Sequence, residues 1–302
     1  MAAPAYLRRF AVHAVLWRNY LDFAVANVPF YLQPILIFFW TIFFFFFAAP
    51  ARRSVVRNLA VVLPGSSGLT NHLRAFRTLL HFAQTISDGA NYRVNQAEFD
   101  YEIEGADFLE QLARADGAIL LTAHMGNYDL GAALFAQKFN REISMVRAPE
   151  PHHESAQHLT GFVEETGKGA VKIAYSTDGA LVAFDLLNAV RRGEIVSIQG
   201  DRVIAGVAKT DCEMFGQSVA VPSGPFTLAL VAQKPIFPLF MIRAGHYRHR
   251  IIVREPITVM RSGHRRDDIA HAAREWCCAL EAIVARHWDQ WFAFAPIFSP
   301  HE

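Results

Sequence analysis

The chain has 302 residues, a formal net charge of +1, 52% hydrophobic residues and only 19% charged ones. Soluble domains usually carry about a quarter charged residues, so this chain is charge-poor in the manner of a lipid-associated protein, and its stock of aromatic and aliphatic residues excludes intrinsic disorder. Near-neutral charge argues against a nucleic-acid binder, and Cys212, Cys277 and Cys278 form neither an even disulfide framework nor a metal knuckle, which fits a reducing environment.

Residues 23–51 carry no charge and include Phe30, Phe38, Phe39 and Phe43 to Phe47. A bilayer crossing needs about 20 predominantly apolar residues. Pro29, Gln33 and Pro34 interrupt the first third of this run, leaving 35–49 as its densest block. The segment is therefore expected either to span the bilayer from near Phe23 or to lie half-buried in the interface. Arg8, Arg9 and Arg18 precede it and Arg52, Arg53 and Arg57 follow it, so the positive-inside rule assigns no orientation. Residues 1–51 read as an N-terminal membrane anchor and 52–302 as one folded domain.

Beyond the anchor, apolar spacing predicts helices over 53–63 and 71–92. Short strands then alternate with helices: strand 117–122, helix 128–139, strand 143–146, helix 152–166, strand 171–175, helix 178–192 and strand 195–198. A strand-like 210–215, a helix at 225–233, strands 236–242 and 248–253, and a helix over 266–287 complete the pattern. The expected fold class is α/β, a single domain with a largely parallel central sheet flanked by helices, plus the N-terminal membrane-associated helix.

The strongest chemical signal is Thr122-Ala-His-Met-Gly-Asn-Tyr-Asp-Leu-Gly131, where a strand ends and a helix begins. Ligands bind at that edge of open α/β sheets. His124 and Asp129 are five apart and meet only if the chain turns between them. Gly126 permits the turn, Asn127 suits the N-cap, and Asp129 falls in the first helical turn, where the macrodipole favours its charge. The arrangement is that of a His-carboxylate dyad: Asp129 would fix the imidazole tautomer while the other ring nitrogen takes a proton. No G-x-S-x-G elbow or cysteine motif supplies a protein nucleophile, so the chemistry expected is direct attack by a bound hydroxyl on an activated acyl carbonyl.

Further motifs follow in order: Gln199-Gly-Asp-Arg202, Glu213-Met-Phe-Gly216, Val221-Pro-Ser-Gly-Pro225 and Asp289-Gln-Trp-Phe292. Together with the His124 stretch and Arg57-Asn58-Leu59, they make nearly the whole chain resemble the bacterial lipid A biosynthesis acyltransferase family, with phosphatidylinositol mannoside acyltransferases and the wider lysophospholipid acyltransferase superfamily as relatives. The resemblance implies a catalytic domain at 52–302, on the cytoplasmic face of a bacterial inner membrane. It also implies an acyl-CoA or acyl carrier protein thioester as co-substrate, with no other cofactor, and a hydroxyl or amine of a membrane lipid or glycolipid as acceptor. His124 then looks like the general base and Asp129 its orienting acid. Arg147, Asp201, Arg202 and Glu213 look like substrate-binding positions. One departure stands out: 292–298 is uniformly apolar where basic residues are common in the family, which favours an acceptor less anionic than a phosphorylated lipid A precursor.

Competing expectations are a thioesterase or lipid hydrolase that uses water, and a non-catalytic lipid-binding relative. His152, His153 and His158 do not share one helical face and are read as a solvated helix start rather than a metal site. Gly263-His-Arg-Arg266 is read as a solvated basic loop. Phenylalanines outside the anchor are expected to gather at the catalytic edge, lining an acyl tunnel or a membrane-facing rim.

Overall fold

The computed structural model describes residues 15–148, 169–175 and 179–298. The helix expected over 152–166, with His152, His153 and His158, lies outside the described residues. A seven-stranded sheet organises the rest. In spatial order its strands are β1 (Asp100–Glu104), β9 (Arg248–Val253), β8 (Ile236–Gly245), β2 (Ala118–Thr122), β5 (Ile195–Gln199), β3 (Ile143–Arg147) and β4 (Val171–Tyr175). Every neighbouring pair is parallel except β8 and β9, which form an antiparallel hairpin. A separate antiparallel hairpin, β6 (Lys209–Met214) and β7 (Gln217–Pro222), packs on the long helix α9 (Arg265–His287).

The period-two alternation of the buried strands divides the core. Ile119, Leu121, Val196, Phe240, Ile242 and Ile252 face one side, against α7 (Gly179–Arg191), α8 (Gly224–Ala232), α9 and the β6–β7 hairpin. Ala118, Leu120, Ile143, Ile195, Phe237 and Val253 face the other, against α5 (Ala106–Arg114) and α6 (Tyr128–Phe139). Strands covered on both faces read as continuous apolar runs, as Ala118 to Leu121 do. All three cysteines are free thiols.

The N-terminal third forms a helical layer of its own: α1 (Val15–Asn27), α2 (Gln33–Phe47), α3 (Ala49–Val62) and α4 (Gly68–Asn95). Ser67 caps α4 by accepting the Thr70 N–H at 3.1 Å. Gln33, the polar interruption of the apolar run, is buried: its amide donates to the carbonyls of Val25 and Val28 and accepts from Asn91 Nδ2, tying α1, α2 and α4 together. Phe38 and Phe45 of α2 pack edge-to-face on Phe76 of α4.

No single helix among the described residues is long and apolar enough to cross a membrane. Helix α2 has 15 residues, about 22 Å at 1.5 Å per residue, against about 30 Å of hydrocarbon. It passes such a test only together with α3, and the two are bent by 91°. Pro50 opens α3, and the Arg52 guanidinium turns back to the Phe45 carbonyl and lies over its ring, which holds the corner. The single membrane helix expected from the sequence is thus a broken, three-helix N-terminal region. The outward stripe of α2, Ile35, Phe39, Phe43, Phe46 and Phe47, is exposed.

Candidate active site

The strand order creates a crevice between β2 and β5. After β2 the chain skips to β3 on the far side of β5, and it returns to the middle only after β4. Such a switch point, at the carboxyl ends of parallel strands, is where ligands bind in open sheets. In the β2–β5 ladder Thr122 sits opposite Gln199. The residues two positions beyond, His124 and Asp201, therefore arrive side by side.

They form the dyad. His124 Nδ1 donates to Asp201 Oδ1 at 2.6 Å, and the His124 backbone N–H donates to Asp201 Oδ2 at 3.2 Å. The Trp291 indole N–H donates to the same Oδ2 at 3.1 Å. Burial opposes the charge on Asp201, but His124, Arg202 and the Trp291 indole together outweigh it and pull the carboxyl down to about 2. An ionised carboxylate on Nδ1 fixes the tautomer that leaves Nε2 with its lone pair, and no hydrogen bond from the described residues occupies Nε2. The Tyr128 ring stands edge-on to the imidazole, its centroid 5.6 Å away. Its hydroxyl is driven up by burial and by Asp129, against the pull of Arg147 and Arg202.

The geometry therefore corrects the expectation that Asp129 orients His124. Asp129 does occupy the first turn of α6, but the turn carries it outward along the sheet edge toward the end of β3. There it receives the Arg147 guanidinium in two bonds, 2.8 Å and 3.3 Å. Asn127 takes the N-cap position, yet its side chain makes no cap: its amide donates to the Thr85 carbonyl on α4 at 3.4 Å. Gly126 performs as expected. Its φ is +51°, and a Cβ there would lie 1.8 Å from the Met241 carbonyl oxygen, so only glycine fits the turn.

The remaining sequence candidates divide. Arg202 follows Asp201, half-buried, with its charge acting on both Asp201 and Tyr128. Arg147 reaches the same neighbourhood through Asp129. Glu213 does not join them: it is exposed on β6, opposite Ser218 in the hairpin, and makes none of the bonds of the His124 cluster. The basic loop around Arg265 begins α9, whose other end leads into the site about 35 Å away, so that loop is remote from the chemistry. Among the described residues no three His, Cys, Asp or Glu side chains converge as a metal site.

Sequence reasoning missed the machinery of the terminal Asp289-Gln-Trp-Phe292 run. Gln290 accepts the Arg243 N–H and donates to the Arg243 carbonyl, 2.8 Å each, and its own carbonyl accepts from Gly126 N–H at 3.3 Å. The Phe292 N–H donates to the His124 carbonyl at 2.8 Å. Asp289 is ion-paired to Arg77 and bonded to His81 on α4. Phe292 also forms an aromatic trio with Phe82 and Phe294, with centroids 4.9–6.2 Å apart. Phe226, Phe237 and Phe240, by contrast, belong to the core. The apolar 292–298 stretch has structural uses too: Phe298 packs on Phe215 and Trp291, and Asn58 grips the carbonyls of Ala293 and Ala295. Its lack of basic residues reflects that packing as much as any acceptor.

No curated protein matches the chain. The family model described as bacterial lipid A biosynthesis acyltransferase matches residues 4–299, which takes in the helical layer, the sheet and the terminal segment alike. The chain belongs to that family and is a lipid acyltransferase in the family's general sense.

Proposed function

We propose that the protein transfers a fatty acyl chain from an acyl-CoA or acyl carrier protein thioester to a hydroxyl or amine of a membrane lipid or glycolipid. The observation that carries this reading is the Nε2 of His124, which takes no hydrogen bond from the described residues, backed by the buried Asp201 carboxylate. Nε2 removes the proton from the acceptor as its oxygen or nitrogen attacks the thioester carbonyl. The tetrahedral intermediate collapses with cleavage of the C–S bond, and the imidazolium returns the proton to the departing thiolate. The first amides of α6, which have no carbonyl partner within the helix, are assigned the oxyanion in this reading. In this reading Arg202, and Arg147 beyond its pair with Asp129, meet anionic groups of donor or acceptor.

Membrane docking belongs to the same proposal. The exposed phenylalanine stripe of α2 lies half-buried in the interface of the inner membrane, with 52–302 as the catalytic domain on the cytoplasmic side, where acyl thioesters are made. Residues 1–51 then serve as an interfacial anchor rather than a crossing.

The test incubates the full chain with radiolabelled palmitoyl-CoA, or the palmitoyl carrier-protein thioester, and total inner-membrane lipid. Labelled lipid is the expected product, and His124→Ala should lower its rate by about 10²- to 10⁴-fold. Free palmitate as the main product with lipid in excess would mark a thioesterase instead. Full activity in His124→Ala would overturn the mechanism.

A further inference from the structure

We infer that Trp291 is a positioning residue of the acyl transfer: its indole N–H holds Asp201 so that one carboxylate oxygen is reserved for His124. The inference rests on the dyad proposed above. Trp291 is fully buried, so its N–H must find a partner, and the partner it finds is a charged one. Both oxygens of Asp201 are thereby assigned. Oδ2 takes the indole and the His124 backbone N–H, and Oδ1 takes Nδ1 of the imidazole. Without the indole, Oδ2 keeps only the His124 backbone N–H at 3.2 Å, and the carboxylate is held less firmly against rotation about its Cβ–Cγ bond.

The main chain supports the same role. Met125 and Trp291 form an antiparallel bridge, flanked by the Gly126 to Gln290 and Phe292 to His124 backbone bonds. A single short segment therefore clasps the His124 loop and delivers the indole to its carboxylate. The segment is itself anchored on two sides, by Asp289 on Arg77 and His81 and by Gln290 on the Arg243 backbone. Trp276 supplies a built-in comparison. It is also fully buried and donates one residue away, but to the neutral Gly200 carbonyl at 2.9 Å. Among the described residues, the charged and titratable groups around the pair are Arg202 beside Asp201, Tyr128 beside His124, the Asp129–Arg147 ion pair acting on Tyr128, and, on the segment that carries Trp291, Asp289 with Arg77 and His81.

The test follows the indole N–H resonances of the full chain in detergent micelles by ¹⁵N-edited NMR across the acid and neutral range. The Trp291 resonance should move with pH through a one-proton curve that disappears in His124→Gln, while the Trp276 resonance stays flat. A Trp291 resonance that does not move, or that moves equally in His124→Gln, would overturn the inference. This arm needs no substrate and no Trp291 variant, so it stands even if Trp291→Phe folds poorly. In the second arm, Trp291→Phe acting on palmitoyl-CoA and membrane lipid should lose about tenfold in kcat with KM for palmitoyl-CoA unchanged, and the acidic limb of its rate profile should be displaced. A kcat loss with an unmoved limb would reduce Trp291 to packing. Absence of any acyl transfer by the unsubstituted protein would sink the acyltransferase reading and leave the NMR result to judge the contact alone.

Discussion

The catalytic edge and the N-terminal helical layer handle a charge-poor sequence in opposite ways. At the edge, buried charge is abundant and closely partnered: Asp201 with His124 and Trp291, Asp129 with Arg147, Asp289 with Arg77 and His81. In the layer, α2 leaves Phe39, Phe46 and Phe47 63%, 67% and 73% exposed. Helix α4 joins the two. One face receives α1, α2 and α3, and the other binds the site through Thr85 to Asn127, Asp88 to Arg243, and Arg77 and His81 to Asp289. The charge deficit is therefore concentrated in the helical layer, while the catalytic edge keeps its charges and partners them closely.

The largest expected effect separates the layers outright. Phe39→Asp, Phe46→Asp and Phe47→Asp combined should weaken sedimentation with inner-membrane vesicles by about 10³-fold, since burying each phenylalanine is worth about 1.5–3 kcal/mol. Turnover of palmitoyl-CoA with a detergent-dispersed lipid acceptor should persist. Loss of both together would mean that the layers are one functional unit.

A second experiment tests the division of labour between the two carboxylates. Asp201→Asn should lower kcat by about 10²-fold and displace the acidic limb of the rate profile, because the imidazole loses its charged partner. Asp129→Asn acts differently, taking the carboxylate charge from its bidentate pair with the half-buried Arg147, so its defect should be relieved in part by adding Arg147→Met. Asp201→Asn should show no such relief. If Arg147→Met rescued both variants equally, the two carboxylates would belong to one network.

That division was the part of the site least legible from sequence. Strands β2, β3 and β5 are apolar runs bounded by turn signals, and their carboxyl ends mark the active edge before any coordinates. What pairs with what is a different question. Asp129 is near His124 along the chain, whereas Asp201 is near it because β5 lies next to β2, an adjacency that no local spacing encodes. The usable signal was symmetry: each residue stands two positions past its strand, at registered partners Thr122 and Gln199. Strand β1 was missed for a related reason. Its Asp100-Tyr-Glu-Ile-Glu104 sequence looks solvated, and its charges make sense only opposite β9, where Glu102 meets Arg250 and Glu104 meets Arg254. The apolar N-terminal run was legible as a charge-free helical stretch, but its shape was not, because the 91° corner depends on Pro50 and on Arg52 reaching back to α2.

The smallest effect concerns acid stability, and it sets Asp201 against a carboxylate that joins the layers. Asp201 is held at about 2, below the ordinary unfolded value near 3.9, so the folded state binds its proton less readily than the unfolded one. Its contribution is complete above about pH 4 and is lost as pH falls through about 2, amounting to about 2 kcal/mol. Asp88 has the opposite sign. Burial raises its carboxyl despite Arg243, so its share of stability is present at low pH and disappears as pH rises through its folded value. Urea unfolding of the unsubstituted protein and of Asp201→Asn should therefore converge between pH 4 and pH 2, with the unsubstituted protein losing the larger share. Parallel acid profiles would mean that Asp201 is not held ionised by the bonds of His124 and Trp291.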